Sequence, residues 1–270
     1  MSEDAVLKYA VADHVATITL NRPERMNAFT AEMVGLWRDA IEEAHGNDDV
    51  RVLVVTGEGR GFCAGGDVRA EGAGRDVMGA DPSQPAQNRN SLRNSVQRVP
   101  RALLGLEKPY IAAVNGAAVG AGMDMASMAD IRIASERAKF GMAYVRMGLV
   151  PGDGGAYFLP RIVGMSKALE LMWTGRIFDA EEALGMGYVS RVVPHDELLA
   201  RTGELAAEIA SNPSVSVQLT KRLAYRSATV GVHEALEMAE HAMAIARTTE
   251  DAQEGPLAFA EKRAPRFQGR

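Results

Sequence analysis

Two short stretches of very small residues are the places where backbone could do chemistry: Phe62-Cys63-Ala64-Gly65-Gly66-Asp67 and Gly120-Ala121-Gly122. Both read as strand-to-helix turns. The first turn of a helix leaves N–H groups without intrahelical partners, and small residues let a ligand approach the backbone. Either turn is therefore able to hold an anion or a developing oxyanion. Tight packing of a helix on a strand calls for the same residues, and each turn taken alone leaves both readings open. Gly116, Gly120 and Gly122 also form Gly-x-x-x-Gly-x-Gly after a strand, which suits the nucleotide-binding turn of a dehydrogenase. Against that reading, the turn lies far from the N-terminus, and no Tyr is followed four residues later by Lys. There is no P-loop and no Gly-x-Ser-x-Gly elbow. His14, His45, His195, His233 and His241 are scattered without a His-Glu-x-x-His pair, so no metal site is expected.

The elements that must hold these turns follow from periodicity. Residues 15–20 and 50–55 are β-branched runs closed by turn residues and read as strands. Between them, Thr30 is a candidate N-cap, and Met33, Leu36, Trp37, Ala40, Ile41 and Ala44 form the apolar stripe of a helix that Gly46 ends. Residues 71–95 are rich in Gly, Pro, Ser, Asn and Gln and read as a candidate lid. A helical pattern from Leu92 to Leu106 follows, bent or interrupted at Pro100. Residues 109–114 form a buried strand entering the second small-residue turn, and a helix through Met123, Met125, Ala126 and Met128 leaves it. Another strand lies at 131–134, and a further glycine cluster, Pro151-Gly152-Asp153-Gly154-Gly155, carries a carboxylate. After Pro194 the β signal ends, and residues 197–211, 215–228 and 233–248 are successive helical patterns. The expected organisation is an α/β core over 1–196 and a helical C-terminal region over 197–270 that packs on the core or on another subunit.

Composition bounds the partners. Against 30 Lys and Arg the 270 residues carry 35 Asp and Glu, a net charge of −5, which argues against a general nucleic-acid or anionic-membrane surface. An anionic ligand must then be held by local positive groups. Cys63 is the only cysteine, which excludes an intramolecular disulfide and fits a reducing compartment, so a cytoplasmic location is expected. The N-terminal residues lack an apolar signal-peptide segment, and no run of about 18 apolar residues occurs, so no membrane span is expected.

Read in order, Asn21-Arg22-Pro23-Glu24-Arg25-Met26-Asn27-Ala28, Gly61-Phe62-Cys63-Ala64-Gly65-Gly66-Asp67 and Lys108-Pro109-Tyr110-Ile111-Ala112-Ala113-Val114-Asn115-Gly116 strongly resemble the enoyl-CoA hydratase/isomerase (crotonase) superfamily. So do Ala129-Asp130-Ile131-Arg132-Ile133-Ala134, Ala138-Lys139-Phe140-Gly141, Leu149-Val150-Pro151-Gly152-Asp153-Gly154-Gly155 and the terminal Ala258-Phe259-Ala260-Glu261-Lys262-Arg263-Ala264-Pro265. The resemblance covers nearly the whole chain. It implies an α/β spiral of strand–strand–helix repeats with a helical C-terminal trimerisation region, assembled as a homo-oligomer, a trimer or a dimer of trimers. It also implies an acyl-CoA substrate, with coenzyme A present only as part of that substrate and no separate cofactor. The thioester enolate would be held by the backbone N–H groups at Gly66 and Ala121, so the two small-residue turns acquire one joint purpose. Coenzyme A would lie along Arg25, Ala28, Ala64, Asp67 and Val68, with Phe259 and Lys262 reaching the adenine or phosphate end of a neighbouring subunit's ligand. Arg25 and Lys262 supply the local positive charge.

The acid/base positions depart from the family pattern. Its hydratases carry two Glu residues; the first matches Asp124 here and the second matches Tyr144, a poor base at neutral pH. Asp153 lies one residue after the point where some isomerases of the superfamily place an aspartate. With both glutamates missing, double-bond isomerisation is expected ahead of hydration, with Asp124 moving the proton and Asp153 assisting. A non-catalytic acyl-CoA binder that has kept the fold is the alternative of a different class.

Overall fold

The computed structural model describes residues 5–67 and 89–269. The chain begins with β1 (Leu7–Ala12) and β2 (Val15–Leu20), an antiparallel hairpin whose turn residues Asp13 and His14 both have positive φ. Such a two-residue turn matches the twist of the flanking strands. A 3-10 turn at Pro23–Arg25 leads to α1 (Ala31–Gly46). Thr30 caps α1 by accepting a hydrogen bond from the Met33 amide at 3.2 Å. Met33, Trp37, Ala40, Ile41 and Ala44 are buried along one face, as their spacing predicts.

The next segments build two layers in alternation. β3 (Val52–Gly57), β5 (Tyr110–Val114) and β7 (Ile131–Ser135) pair in parallel within a six-stranded sheet that β10 (Arg191–Val193) completes, in the order β1-β2-β3-β5-β7-β10. Each is followed by a short strand, β4 (Gly61–Cys63), β6 (Ala117–Val119) and β8 (Lys139–Gly141), that crosses into a four-stranded sheet. The described helices between them are α2 (Ser91–Asn94), α3 (Arg98–Gly105) and α4 (Ala121–Ser127). After β8 come α5 (Gly155–Val163), α6 (Met165–Thr174), β9 (Phe178–Asp179), α7 (Ala180–Gly185) and β10 (Arg191–Val193). This is the spiral of strand–strand–helix units expected above. Parallel strands covered on both faces read as apolar runs, which is why β3 and β5 are buried at every residue.

The chain then turns helical: α8 (Leu198–Ala210), α9 (Ser214–Ser227), α10 (Val232–Ala246) and α11 (Asp251–Glu261). Leu198, Ala206 and Ala210 of α8 pack on Val52, Val54, Ile111, Ala113 and Ile133 of the large sheet. By contrast α9 buries no residue and α10 buries only Ala242. No helix among the described residues is long and apolar enough to cross a membrane.

The structure corrects several sequence expectations. β1 is a strand that the sequence reading did not include, and only Leu7 of it is buried. The strand expected at 50–55 starts two residues later, where Val52 pairs with Val15. The break before Leu106 falls at 95–97 and not at Pro100. Pro100 sits in the first turn of α3, where its missing N–H removes no intrahelical bond. α11 contains Gly255 and Pro256, both helix breakers, and so shows no helical signature in sequence. Most of the candidate lid, residues 71–88, lies outside the described residues.

Two buried asparagines hold the loop that feeds β4. Asn27 Nδ2 donates to Glu58 O at 2.9 Å and Gly61 O at 2.7 Å, while Asn115 Nδ2 donates to Gly59 O at 2.8 Å. β4 then meets α4 backbone to backbone, since a Cβ on Gly122 would stand 1.9 Å from Cys63 O. Neither partner there is a flexible side chain. Gly122→Ala is therefore expected to destabilise the fold by about 3 kcal/mol, the upper end of overpacking costs; chemical denaturation against the parent chain measures it.

Candidate active site

The two small-residue turns lie side by side. β4 runs into Ala64-Gly65-Gly66-Asp67, and this turn is pinned to the segment before α1: Ala64 N donates to Met26 O, Phe29 N to Gly65 O and Asp67 N to Phe29 O, at 3.0, 2.9 and 3.1 Å. Arg22 clamps the same place, donating to Ala28 O and, at 2.9 Å, to Asp67 Oδ2 in a mostly buried ion pair. Across the gap, Gly120 donates from its amide to Gly141 O at 2.8 Å and takes a positive φ of 56° before α4 starts at Ala121. A Cβ on Gly65 would lie 3.1 Å from Val119 O and 3.4 Å from Ala121 N, so only glycine lets the turns approach this closely. The amides of Gly66 and Ala121 donate to no other described residue. Both residues line a cavity of about 530 Å³ whose apolar walls include Phe29, Leu92, Val96, Met147, Leu149 and Val150.

Three polar side chains gather at one end. Tyr144, from a 3-10 turn at Ala143–Met147, reaches Asp124 Oδ2 of α4 at 2.7 Å and Asp153 Oδ2 at 3.2 Å. Asp153 is 4% exposed and lines the cavity with Tyr144. Asp124 is fully buried and lies behind Tyr144, outside the cavity lining. Oδ1 of each aspartate is buried and has no hydrogen-bond partner among the described residues. A Cβ on Gly155 would fall 1.9 Å from Asp124 Oδ1, so the start of α5 is shaped around this carboxyl.

Burial dominates the electrostatics. Desolvation pushes the Asp124 carboxyl up to about 7; the Tyr144 hydrogen bond opposes this, the Asp153 charge adds to it, and the backbone amides of Gly155 and Asp153 oppose it further. Desolvation likewise pushes Asp153 up to about 6, partly offset by Tyr144. Tyr144 is raised by burial and by both carboxylates, so it stays a hydrogen-bond donor. Folded-state values above the ordinary Asp range mean that the unfolded chain ionises first. These two groups therefore cost stability progressively as pH rises from about 4 through 7.

Of the residues singled out in sequence, Ala64, Gly66, Asp67, Ala121, Tyr144 and Asp153 line the one cavity, and Asp124 joins it through Tyr144. Ala28 and Asp67 are both engaged by Arg22. Arg25 is exposed beside this turn and does not line the cavity. Phe259, 87% exposed, and Lys262 lie at the end of α11, away from the cavity lining. Val68 lies outside the described residues. Sequence reasoning missed Arg22, whose partner Asp67 is 45 residues away. It missed the apolar walls too, because no local pattern distinguishes them. Among the described residues, no three His, Cys, Asp or Glu side chains cluster as a metal ion requires.

Comparison with known proteins places the chain in a family. Residues 11–270 match the family model described as enoyl-CoA hydratase/isomerase. A 1,2-epoxyphenylacetyl-CoA isomerase of Escherichia coli is 38% identical over 95% of both chains. An (E)-benzylidenesuccinyl-CoA hydratase of Thauera aromatica is 36% identical over 96% of this chain and 97% of its own. The crystal structure of an enoyl-CoA hydratase from Bacillus anthracis superposes with a TM-score of 0.90 at 32% identity, covering 98% of this chain and 100% of the other. With the motifs, the strand–strand–helix spiral and the full-length match in agreement, the chain belongs to the enoyl-CoA hydratase/isomerase family of the crotonase superfamily and is an enzyme of that family.

Proposed function

We propose that this enzyme shifts the double bond of an enoyl-CoA thioester, with Asp153 as the proton carrier and the amides of Gly66 and Ala121 as the oxyanion hole. The observation that carries the reading is the inequality of the two carboxyls: Asp153 lines the cavity, whereas Asp124 is covered by Tyr144. A single carboxylate in contact with substrate suffices for a 1,3-proton transfer, while paired-carboxylate hydration needs two groups on the attacking water. In the forward sense, Asp153 takes a proton from C2 of a 3-enoyl thioester. The C–H electron pair enters the conjugated system and places negative charge on the thioester oxygen, where the two free amides stabilise it. The protonated Asp153 then returns a proton at C4, leaving the double bond between C2 and C3.

Several features extend the reading. The two relatives named above act on acyl groups bearing a phenyl ring, and the apolar walls suit a bulky apolar acyl group of that kind. Arg25 would meet the phosphates of coenzyme A, joined by Phe259 and Lys262 of a neighbouring subunit. Exposed Val232, Leu236 and Met243 on α10 support a homo-oligomer, a trimer or a pair of trimers. Hydration is the second reading, favoured by the hydratase among the relatives.

Supplying 2-enoyl-CoA and 3-enoyl-CoA separately tests the ranking. Isomerisation of the 3-enoyl substrate is expected, reduced about 10²-fold or more in Asp153→Asn; formation of 3-hydroxyacyl-CoA from the 2-enoyl substrate, without isomerisation, would replace this reading with hydration. The oxyanion role is tested by Ala121→Pro. Residue 121 is the first of α4, where proline fits the helix but removes the N–H. Loss of about 10²–10³ in kcat with coenzyme A binding retained is expected. Because Asp153 must be ionised to accept a proton, kcat/KM should fall as pH drops below about 6.

A further inference from the structure

We infer that Asp124, Tyr144 and Asp153 form one buried unit that shares a proton, with Tyr144 relaying it between a carboxyl closed off from the cavity and the one that lines it. Its catalytic consequence rests on the isomerase reading above, and its existence does not.

The Tyr144 hydroxyl has fewer hydrogens than contacts to fill. A phenol carries one, yet the Tyr144 hydroxyl stands 2.7 Å from Asp124 Oδ2 and 3.2 Å from Asp153 Oδ2. It can donate to only one of them. The other contact attracts only if that carboxyl brings a hydrogen of its own; otherwise a phenol lone pair faces a buried anion. Three oxygens in this line therefore need two hydrogens. No salt bridge to either aspartate is present among the described residues to hold both as anions. The other titratable groups that feel the pair are Cys63 of β4 and Tyr188, between α7 and β10. Burial pushes each up to about 12, so both are neutral. The unit then carries a single negative charge and titrates as a pair.

Two arrangements of the same atoms follow. With the hydrogen on Asp124, that carboxyl donates to the Tyr144 oxygen, and Tyr144 donates to an anionic Asp153, the form able to act as base. If Asp124 passes its hydrogen to Tyr144 while Tyr144 passes its own to Asp153, the charge moves to Asp124 and Asp153 becomes the acid. Each hop breaks one O–H bond and forms one, and nothing is gained or lost. Asp153 Oδ1 has no hydrogen-bond partner among the described residues and remains available to the substrate hydrogen. Asp124 is thus a positioning residue, acting through Tyr144, that holds the hydrogen Asp153 must not carry when substrate arrives.

A substrate-free infrared titration tests the unit directly. The wild-type chain is expected to keep a protonated-carboxyl signal to about pH 7, and Asp124→Asn to lose its last such signal about one pH unit lower. Tyr144→Phe, which changes volume little, is expected to shift the position of the band because it loses the phenol partner. If no protonated carboxyl is present near neutral pH, or if neither variant changes the signal, the unit does not exist. For turnover, kcat/KM for 3-enoyl-CoA is followed against pH. Wild type should lose activity below about pH 6, and Tyr144→Phe, which removes the hydrogen bond that favours ionised Asp153, should move that loss to higher pH; the same profile in both would overturn the role of Tyr144 between the carboxyls. If wild type isomerises nothing, the isomerase reading fails, and the infrared result alone decides whether the unit is real.

Discussion

The structure depends on one close approach, that of the backbone following β4 to the backbone opening α4. Gly122 lies against Cys63 O and Gly65 lies against Ala121, with no side chain between them. Contacts of this kind bring to the same cavity two amides that have no partner among the described residues, and they require the two sheets to be held at a fixed separation. The alternation of β3–β4, β5–β6 and β7–β8 between sheets supplies that separation. Asn27, Asn115 and Arg22 remove the remaining freedom by bonding the carbonyls of the connecting loops. The polar side chains nearest the turns thus serve mainly to fix backbone, which in the proposed reaction would supply the electrostatic part of the chemistry.

The acid/base end follows the opposite logic. There the fold spends stability, since two carboxyls are held in a dry environment with a phenol as their shared partner. A buried ion pair would have been a cheaper way to keep two anions, and one is present nearby in Arg22–Asp67. With no cation paired to Asp124 or Asp153 among the described residues, their protonation stays close to neutral pH, where a group can both take and return a hydrogen.

Much of this was legible in sequence, for identifiable reasons. The turns at Gly65-Gly66 and Gly120-Ala121-Gly122 could be read because close approach admits so few residue types, and α1 because its cap and stripe are local signals. What stayed hidden depended on distance along the chain. Arg22 meets Asp67 only after folding. Asp124 has the reach of the helix after the turn, yet nothing local shows that Tyr144 stands between it and the cavity. α11 was invisible because Gly255 and Pro256 contradict helix in isolation and are tolerated only with tertiary support.

The position of Gly155 has an evolutionary reading. It is locked against Asp124, outside the cavity lining, while Met147 and Val150, which line the cavity a few residues earlier, are 65% and 76% exposed. One end of a single loop is therefore free to drift in size and shape, and the other can scarcely change. Selection can remodel which acyl group is accommodated without touching the groups proposed to move the hydrogen, so a lineage built on this frame can acquire new substrates faster than new reactions.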